Sequence, residues 1–365
     1  MNDMLEMILD TTTRIFTNHC TPEVLDAAGQ GQWPNDLWKA ISDAGLVRAL
    51  RAEEEGGAGL SWAEGLAVIR LAGYHRVPLP LPETMLASRL LADAGVLLPE
   101  GPVSEGPVSL APWQPGPSLQ AERLADGWRL SGVCKRVPWG RQVRAVLAAI
   151  ETDAGPRLVC FDPALGEVSQ GINLAFEPRD TLRLDGITVP ASAVFTPGPG
   201  CDLFHLGALM RAQQLAGAMQ KALDQSVQYA GERVQFGRPI SKFQAIQQQL
   251  ADLAGQVAIA NAAAQAAADH WGTDKSDFFV AVAKARAGEG ANRAAAIAHQ
   301  VHGAMGFTRE HSLHYATRRL WSWRDEFGNE SLWQQWLGRQ VLKLGAEQLW
   351  PYLVDPAMAL QEAKG

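Results

Sequence analysis

The sequence predicts an α+β protein with an all-helical N-terminal domain, a middle β-barrel-like or β-sandwich domain and a C-terminal bundle of four long helices. Three observations predict this class: helical apolar spacing before residue 105, short apolar runs among Pro and Gly up to residue 200, and long helical periods afterwards. The 365 residues, 47% of them hydrophobic, suffice for two or three cores. We expect domains at 1–105, 106–200 and 201–365.

The first two domains differ in the texture of their apolar residues. Helical spacing occurs in NDLWKAISDAGLV and SWAEGLAVIRLAGYHR, with Gly56, Gly57 and Gly59 between them. Short runs typical of strands follow in the middle domain: WRLSG, AVLAAIE, PRLVCF and DTLRLDGITVP. A helical domain therefore precedes a β domain.

The last domain predicts long helices, at 207–230, 238–270 and 276–305. One face of the second helix consists of residues that step by 4, 3 and 4: Ile246, Leu250, Leu253 and Val257. Such a face suits antiparallel bundle packing. Many alanines in these helices allow close helix approach, in a monomer core or at a subunit interface.

Charge and cysteine usage exclude several classes of protein. A net charge of -7 and a pI near 5.7 give no basic field for nucleic acid or an anionic membrane. Four widely spaced cysteines without metal-ligand spacing favour neither disulfides nor zinc. The acidic start MNDMLEMILD is unlike a secretion signal, and no run of about 18 apolar residues occurs. We expect a cytoplasmic protein without a membrane span.

The stretch ERVQFGRPISKFQAIQQQLAD, from Glu232 to Asp252, combines groups suited to a dinucleotide. Arg233 offers a fork of donors for a pyrophosphate, and the nearby aromatic Phe236 can cover a flat ring. The alternative is structural: Arg233 forms a helix-end salt bridge and Phe236 fills a gap in the core. Spacing alone leaves both open.

A second stretch, QVHGAMGFTREH, begins at Gln300. Its small residues let the backbone approach a ligand or another helix, although many helices simply end at glycine. Together, in this order, the two stretches resemble the acyl-CoA dehydrogenase family, whose last domain carries R-x-x-F-G-x-x-I…F-Q…Q and then Q-x-x-G-G-x-G-[FY]. AGLVRALRAEEEGGAGLSWAEG, GYHRVPLPLPET, DGWRLSGVCKRVPWG and DTLRLDGITVPASAVF are similar to the family's earlier landmarks.

The resemblance implies a set of FAD-binding residues. Arg233 and Gln244 match positions that hold the FAD phosphates and ribose from a neighbouring subunit, with Phe236 between them. The adenosine half matches five consecutive residues, the last of which replaces a glycine: Gln300, Val301, His302, Gly303 and Ala304. Asn329 matches the turn that touches the flavin.

The family removes the α-proton of an acyl-CoA with a carboxylate, and this chain departs from that pattern. Counting without gaps from Gln300, the position where many members have the catalytic glutamate is occupied by His314. Two alternative family positions hold Gly207 and Gln214. His314 can be a base, since a neutral imidazole with a pKa of about 6.5 exceeds free glutamate in basicity. It can also only hydrogen-bond near the substrate channel, or join Glu310 and His311 in a metal site, although the family needs no metal.

The β domain also departs from the family. SLAPWQPGPS stands where members often have T-E-P…G-S-D, and Pro138 and Trp139 stand where many have a Trp-x-Thr pair beside the flavin. Five tryptophans near the C-terminus suggest core or subunit contact: Trp321, Trp323, Trp333, Trp336 and Trp350.

The function that the resemblance implies is FAD-dependent α,β-dehydrogenation of an acyl-CoA, with electrons passed to an electron-transfer flavoprotein. A homotetramer or dimer is implied, or a heterotetramer with a paralogue. Two alternatives stay open: a catalytically silent FAD- and CoA-binding subunit of a heterotetramer, and a flavin oxidase or monooxygenase on the same fold.

Overall fold

The structure, a computed structural model, describes residues 3–96, 106–112, 119–198 and 202–356. The chain forms two compact units, Met1–Gly207 and Ala208–Gly365. The three-domain division at residues 105 and 200 remains a prediction, because both boundaries fall outside the described ranges. Within those ranges, no helix is long and apolar enough to cross a membrane.

The first unit begins with helices, as the apolar spacing predicts. They are α1 (Asp3–His19), α2 (Pro22–Gly29), α3 (Asn35–Asp43), α4 (Trp62–His75) and α5 (Leu81–Asp93). The start of α4 is set by a capping box: the Ser61 hydroxyl accepts from the Glu64 amide at 3.3 Å, and the Ser61 amide donates to Glu64 Oε2 at 2.8 Å. These bonds satisfy amides that the first helical turn leaves unpaired.

Eight strands between residues 108 and 195 of the first unit form one connected sheet. Its strands are β1 (Val108–Leu110), β2 (Leu119–Leu124), β3 (Gly127–Pro138), β4 (Ala145–Thr152), β5 (Gly155–Phe161), β6 (Glu167–Ser169), β7 (Arg179–Pro190) and β8 (Val194–Phe195). The path is β6-β7-β3-β2-β4-β5-β8, and β1 pairs with β4 in parallel. All four predicted strand runs lie in this sheet. Buried apolar side chains such as Leu130, Val146 and Leu182 form its core.

The second unit is helical. Its elements, the first of which starts in the first unit, are α6 (Leu203–Glu232), β9 (Val234–Gln235), β10 (Arg238–Pro239), α7 (Gln244–Asp269), α8 (Ser276–His302), α9 (Leu313–Asp325), α10 (Glu330–Leu344) and α11 (Leu349–Val354). The three long predicted helices are therefore present. The second begins at Gln244 rather than 238, because β9 and β10 form a tight hairpin in which Gly237 has φ +77°.

Small residues line the packing between α7 and α8. Ala260, Ala264, Ala291 and Ala294 are fully buried, so these alanines belong to the core of the unit. A Cβ on Gly290 would lie 2.8 Å from Cε of Met219 and 3.7 Å from the carbonyl of Gln256. Close approach of helices requires such small side chains at the contact.

Candidate functional site

The hairpin after α6 carries the first predicted motif on the surface. Arg233 is exposed. Its amide donates to the carbonyl of Tyr229 in α6, and its carbonyl accepts from the amide of Ile240, just after the hairpin, both at 2.8 Å. Its guanidinium forms no ion pair within the described part of the chain. The helix-end salt bridge considered from the sequence is therefore absent there.

Phe236 stands at the tip of this hairpin. The residue is 92% exposed and has φ +53°, in the left-handed region that is costly for a residue with a large side chain. The interpretation of Phe236 as a core filler is wrong, since the side chain is almost fully exposed and its ring lies against that of Phe243, edge to face at 6.0 Å between centroids. An exposed aromatic in strained backbone is typical of a binding surface. Gln244, the first residue of α7, is exposed as well.

The second motif lies where α8 ends. Gln300, Gly303 and Ala304 are exposed, whereas Val301 and His302 are 4% and 2% exposed. The chain then forms a 3-10 turn from Gly303 to Phe307. Gly303 has φ +57°, and a Cβ there would meet nothing within 4 Å. Backbone conformation, rather than crowding, therefore calls for glycine at this position.

Two buried histidines at the end of α8, His299 and His302, pack against this turn. The His302 ring stacks on Tyr229 at 4.5 Å, and its Nδ1 donates to the Ala298 carbonyl at 2.7 Å. Burial is the main cause that lowers the pKa of His302 to about 4, so the ring is neutral at neutral pH. His299 stacks on Phe307 at 4.4 Å and hydrogen-bonds through Nε2 to the Thr317 hydroxyl at 3.0 Å.

The three expected positions of the catalytic carboxylate lie in the interior. Gly207 is buried in α6, and His314 is 9% exposed on α9, with its ring 4.0 Å from that of Tyr315. Gln214 is 4% exposed, and its Oε1 accepts from Nη1 of Arg211. In the described residues, no group of three or more His, Cys, Asp or Glu side chains could hold a metal ion.

Arg211 binds both Gln214 and a carboxylate, and counting along the chain from the family motifs does not predict this carboxylate. This arginine has no exposed surface, and its Nε donates to Oε2 of Glu326 at 2.7 Å. Its Cζ lies 5.9 Å from the ring centroid of Trp323 and 6.0 Å from that of Phe327. A buried guanidinium needs such a counter-charge, because desolvation of an unpaired cation is costly.

The turn between α9 and α10 is held by buried side chains. Asn329 caps α10, since its Oδ1 accepts from the Leu332 amide at 3.1 Å. Lys284, fully buried on α8, donates to the carbonyls of Arg324, at 2.6 Å, and of Gly328. Lys284 is not among the predicted site residues, although a lone lysine in the apolar run FFVAVAKARA is a visible sign.

Pro138 and Trp139, the β-domain residues that depart from the family's Trp-x-Thr pair, are buried. Trp139 is 4% exposed with φ +49°, and the guanidinium of Arg179 lies 4.9 Å from its ring centroid. Pro138 is buried at the end of β3. In SLAPWQPGPS, residues 113–118 lie outside the described residues.

The C-terminal tryptophans divide between core and surface. Trp323 and Trp333 are 1% and 0% exposed, whereas Trp350 is 73% exposed. Trp321 and Trp336 are half-buried. The core interpretation therefore holds for Trp323 and Trp333, and Trp350 remains a candidate contact residue.

Comparison with known proteins matches both helical parts of the chain. Residues 2–96 match the acyl-CoA dehydrogenase N-terminal domain, and residues 202–330 match the acyl-CoA dehydrogenase C-terminal domain. The chain is 28% identical over 325 residues to acyl-CoA dehydrogenase IpdE2 of Mycolicibacterium smegmatis, covering 87% of this chain and 93% of the relative. It is 29% identical over 331 residues to acyl-CoA dehydrogenase FadE27 of Mycobacterium tuberculosis, covering 81% and 85%.

A solved structure agrees with these sequence matches. A chain of the ChsE4-ChsE5 complex from Mycobacterium tuberculosis superposes with a TM-score of 0.87 at 24% identity, covering 95% of this chain and 99% of that one. Helical, β and helical parts thus follow one another as in that fold. The chain belongs to the acyl-CoA dehydrogenase superfamily, whose cofactor is FAD.

Proposed function

We propose that this protein oxidises an acyl-CoA thioester between its α and β carbons, in the cytoplasm, and passes the electrons to an electron-transfer flavoprotein. The observation that carries the proposal is the pair of family motifs on the surface of the second unit. Arg233 and Phe236 occupy one motif, Gln300 and Gly303 the other, and all four are exposed. Exposed, strained or unpaired groups of this kind suit ligand binding better than folding.

The residues present fit FAD. The exposed guanidinium of Arg233 has no carboxylate partner in the described chain, so it can take a pyrophosphate as a two-pronged donor. Phe236 can cover a flat ring, and Gln244 can bind ribose hydroxyls. We assign the adenosine half to Gln300 and to the backbone from Val301 through Ala304, and the flavin side to Asn329. When bound, FAD supplies the acceptor for the substrate's β-hydrogen.

The superfamily places the first of these motifs against the FAD of a neighbouring subunit, and we propose the same here, in a homotetramer or dimer. The 92% exposure of Phe236 supports this, because an aromatic side chain of that exposure gains little in an isolated chain. Gln244, at the start of α7 after the hairpin, is exposed too and would bind on the same partner-facing surface.

Two groups are candidates to accept the α-proton. His314 stands at the position reached by counting from the second motif and is 9% exposed. Glu326 is the carboxylate held by Arg211, next in space to the Gln214 position. A positioned base contributes about 10²–10⁴-fold to such a reaction. His314→Ala and Glu326→Gln therefore separate the two candidates.

The decisive experiment is the absorbance spectrum of the purified protein, followed by anaerobic addition of a panel of acyl-CoAs. Bleaching of the oxidised flavin band supports the dehydrogenase, and loss of bleaching in only one of the two variants assigns the base. A flavin-containing protein that binds acyl-CoA without bleaching contradicts the proposal. Rapid reoxidation by oxygen without an added acceptor indicates an oxidase or monooxygenase on the same fold instead.

A second candidate is a catalytically silent subunit that works with a base-bearing paralogue. It is favoured by the absence of a carboxylate at Gly207, Gln214 and His314. The solved chain of similar fold likewise belongs to a complex, ChsE4-ChsE5. Co-expression with a paralogue that has glutamate at one of these positions tests it. Bleaching that requires both chains supports the silent subunit, and bleaching by this chain alone contradicts it.

A further inference from the structure

Lys284 is a lysine without exposed surface in the alanine-rich helix α8. Burial of an ammonium group is costly unless its donors are satisfied. Here Nζ donates to two backbone carbonyls, those of Arg324 and Gly328, which lie 40 and 44 residues further along the chain. The lysine therefore connects α8 to the backbone of the turn between α9 and α10, here called the 324–328 turn.

The 324–328 turn comprises the last two residues of α9 and the three residues that follow it. The Arg324 carbonyl belongs to the last turn of α9, where helix carbonyls lose their partners. The Phe327 carbonyl accepts from Nε1 of Trp333 at 3.0 Å, so side chains satisfy three carbonyls in this one turn. A cation at the carboxyl end of α9 is also favoured by the helix dipole.

The backbone of the turn is held in an unfavourable conformation. Phe327 and Gly328 have φ of +53° and +85°, and the left-handed region is unfavourable for a residue such as Phe, which has a Cβ. Phe327 is also 3% exposed, so its ring is fixed in the core. Bonds from Lys284 and Trp333 over-determine this conformation, as strained backbone at functional sites requires.

Charges on several elements surround the lysine. Burial lowers the pKa of Lys284 to about 7, against the opposing effect of Glu326, Asp325 and Glu330, while Arg211 acts in the same direction as burial. Arg211 holds the side chain of Glu326 at 2.7 Å. Arg211 of α6 thus fixes the Glu326 side chain of the turn, and Lys284 of α8 fixes its backbone.

We propose that Lys284 is a positioning residue for acyl-CoA oxidation, which acts through the 324–328 turn and keeps that turn in the geometry that meets the flavin. The inference rests on the proposed function for one point, that the turn lies beside the flavin. The geometric part, that Lys284 determines the conformation of the turn, stands on the hydrogen bonds alone.

The test uses Lys284→Met, which keeps the length of the side chain and removes its donors. Lys343→Met is the matched control, because Lys343 is exposed on α10. Amide hydrogen exchange of the flavin-free protein is measured over the peptide that contains residues 324–332. We expect exchange in this peptide to accelerate by about tenfold or more in Lys284→Met, with α7 protected as before. Unchanged exchange in the turn overturns the proposal.

The flavin-loaded protein gives the second readout. In Lys284→Met we expect a shifted flavin absorption band and flavin reduction by acyl-CoA slowed by about tenfold, with KM within about twofold of the original protein. A purely structural role predicts a lower melting temperature without a change of kcat in the folded protein, and that result overturns the positioning role. Should Lys284→Met not fold, Lys284→Gln, which keeps two N–H donors on a shorter side chain, carries the same test with a smaller expected effect.

Failure of the proposed function is recognised separately. If the original protein is not bleached by any acyl-CoA, the dehydrogenase proposal fails, while hydrogen exchange still decides whether Lys284 determines the turn. If the original protein bleaches and Lys284→Met behaves like Lys343→Met in both readouts, the role of Lys284 fails and the dehydrogenase stands.

Discussion

At the scale of single residues, burial decides what an ion pair contributes. Arg211 and Glu326 are 1% and 10% exposed in their side chains and form a 2.7 Å pair. Arg293 and Asp252 form a pair of similar length, 2.6 Å, with side chains that are 60% and 33% exposed. Water screens the second pair and stabilises its charges if they separate, whereas neither charge of the first has that alternative.

Arg211→Met is therefore expected to lower the free energy of unfolding by about 3–5 kcal/mol, because it leaves the Glu326 carboxylate buried without its cation. Arg293→Met, the matched surface change, is expected to cost less than about 1 kcal/mol. Urea denaturation followed by circular dichroism measures both. The double variant with Glu326→Gln should lose less than the sum of the single changes, and strict additivity would contradict the proposed coupling.

His302 predicts a dependence of stability on pH. Its folded-state pKa is lowered from 6.5 to about 4, chiefly by burial, so below pH 6.5 the unfolded chain binds a proton that the folded chain refuses. The contribution of His302 is complete above pH 6.5 and is lost as the pH falls towards 4, by up to about 2–3 kcal/mol.

Denaturation at several pH values should therefore show a steeper loss of stability in the original protein than in His302→Gln. His299 and His311, whose pKa values burial also lowers, are present in both proteins. Because both interact with His302, the comparison measures the titration of His302 together with its coupling to them. Parallel pH profiles from 6.5 to 4 would show that His302 is not the group that titrates.

At the scale of elements, the long helices pack through small side chains. Ala264 of α7 has no exposed surface, and its carbonyl accepts from Nε2 of Gln213 on α6 at 2.7 Å. The helices are therefore close enough for a side-chain amide to bridge them. Local periodicity predicts the buried face of α7, but the small size of its residues sets how closely α6 and α8 approach.

Ala264→Leu is expected to destabilise the protein by about 1–3 kcal/mol, because three added carbons cannot be accommodated between closely packed helices. Ala262→Leu, on the exposed face of the same helix, should change stability by less than about 0.5 kcal/mol. Thermal unfolding of both variants checks the difference. Equal stability would mean that the space around Ala264 is larger than the structure indicates.

At the scale of the whole molecule, the second unit carries groups that an isolated chain does not use. Phe236 and Phe307 are 92% and 74% exposed, and each lies in one of the two family motifs. Arg233 is exposed without a carboxylate partner in the described chain. In the function proposed above, the cofactor and a partner subunit cover these groups, so we expect flavin binding and assembly to depend on them together.

Phe236→Gly separates folding from flavin binding. Glycine adopts φ +53° without strain, so stability of the flavin-free protein should stay equal or rise by about 1 kcal/mol. Flavin retention through gel filtration, read from the ratio of flavin to protein absorbance, should fall by about tenfold, since the aromatic contact is lost. Leu342→Ala, which removes an 83% exposed side chain outside both motifs, should retain flavin. Full retention in Phe236→Gly would exclude this aromatic from the cofactor site.

The sequence by itself determined the order of helices, strands and long helices, because apolar periodicity depends on neighbours within a few residues. It also selected Arg233, Phe236 and Gln300 through two local motifs, and the structure places all three on the surface.

Only the tertiary structure decided how the buried charges pair. Lys284 meets the Arg324 carbonyl over 40 residues of sequence, and Arg211 meets Glu326 over 115. Such pairs depend on where helices cross, which no local spacing encodes. The sequence also left open whether Phe236 fills a core or faces outward, since an aromatic residue suits either place. The structure decides this, because Phe236 stands at the tip of the hairpin with a left-handed backbone conformation and an exposed side chain.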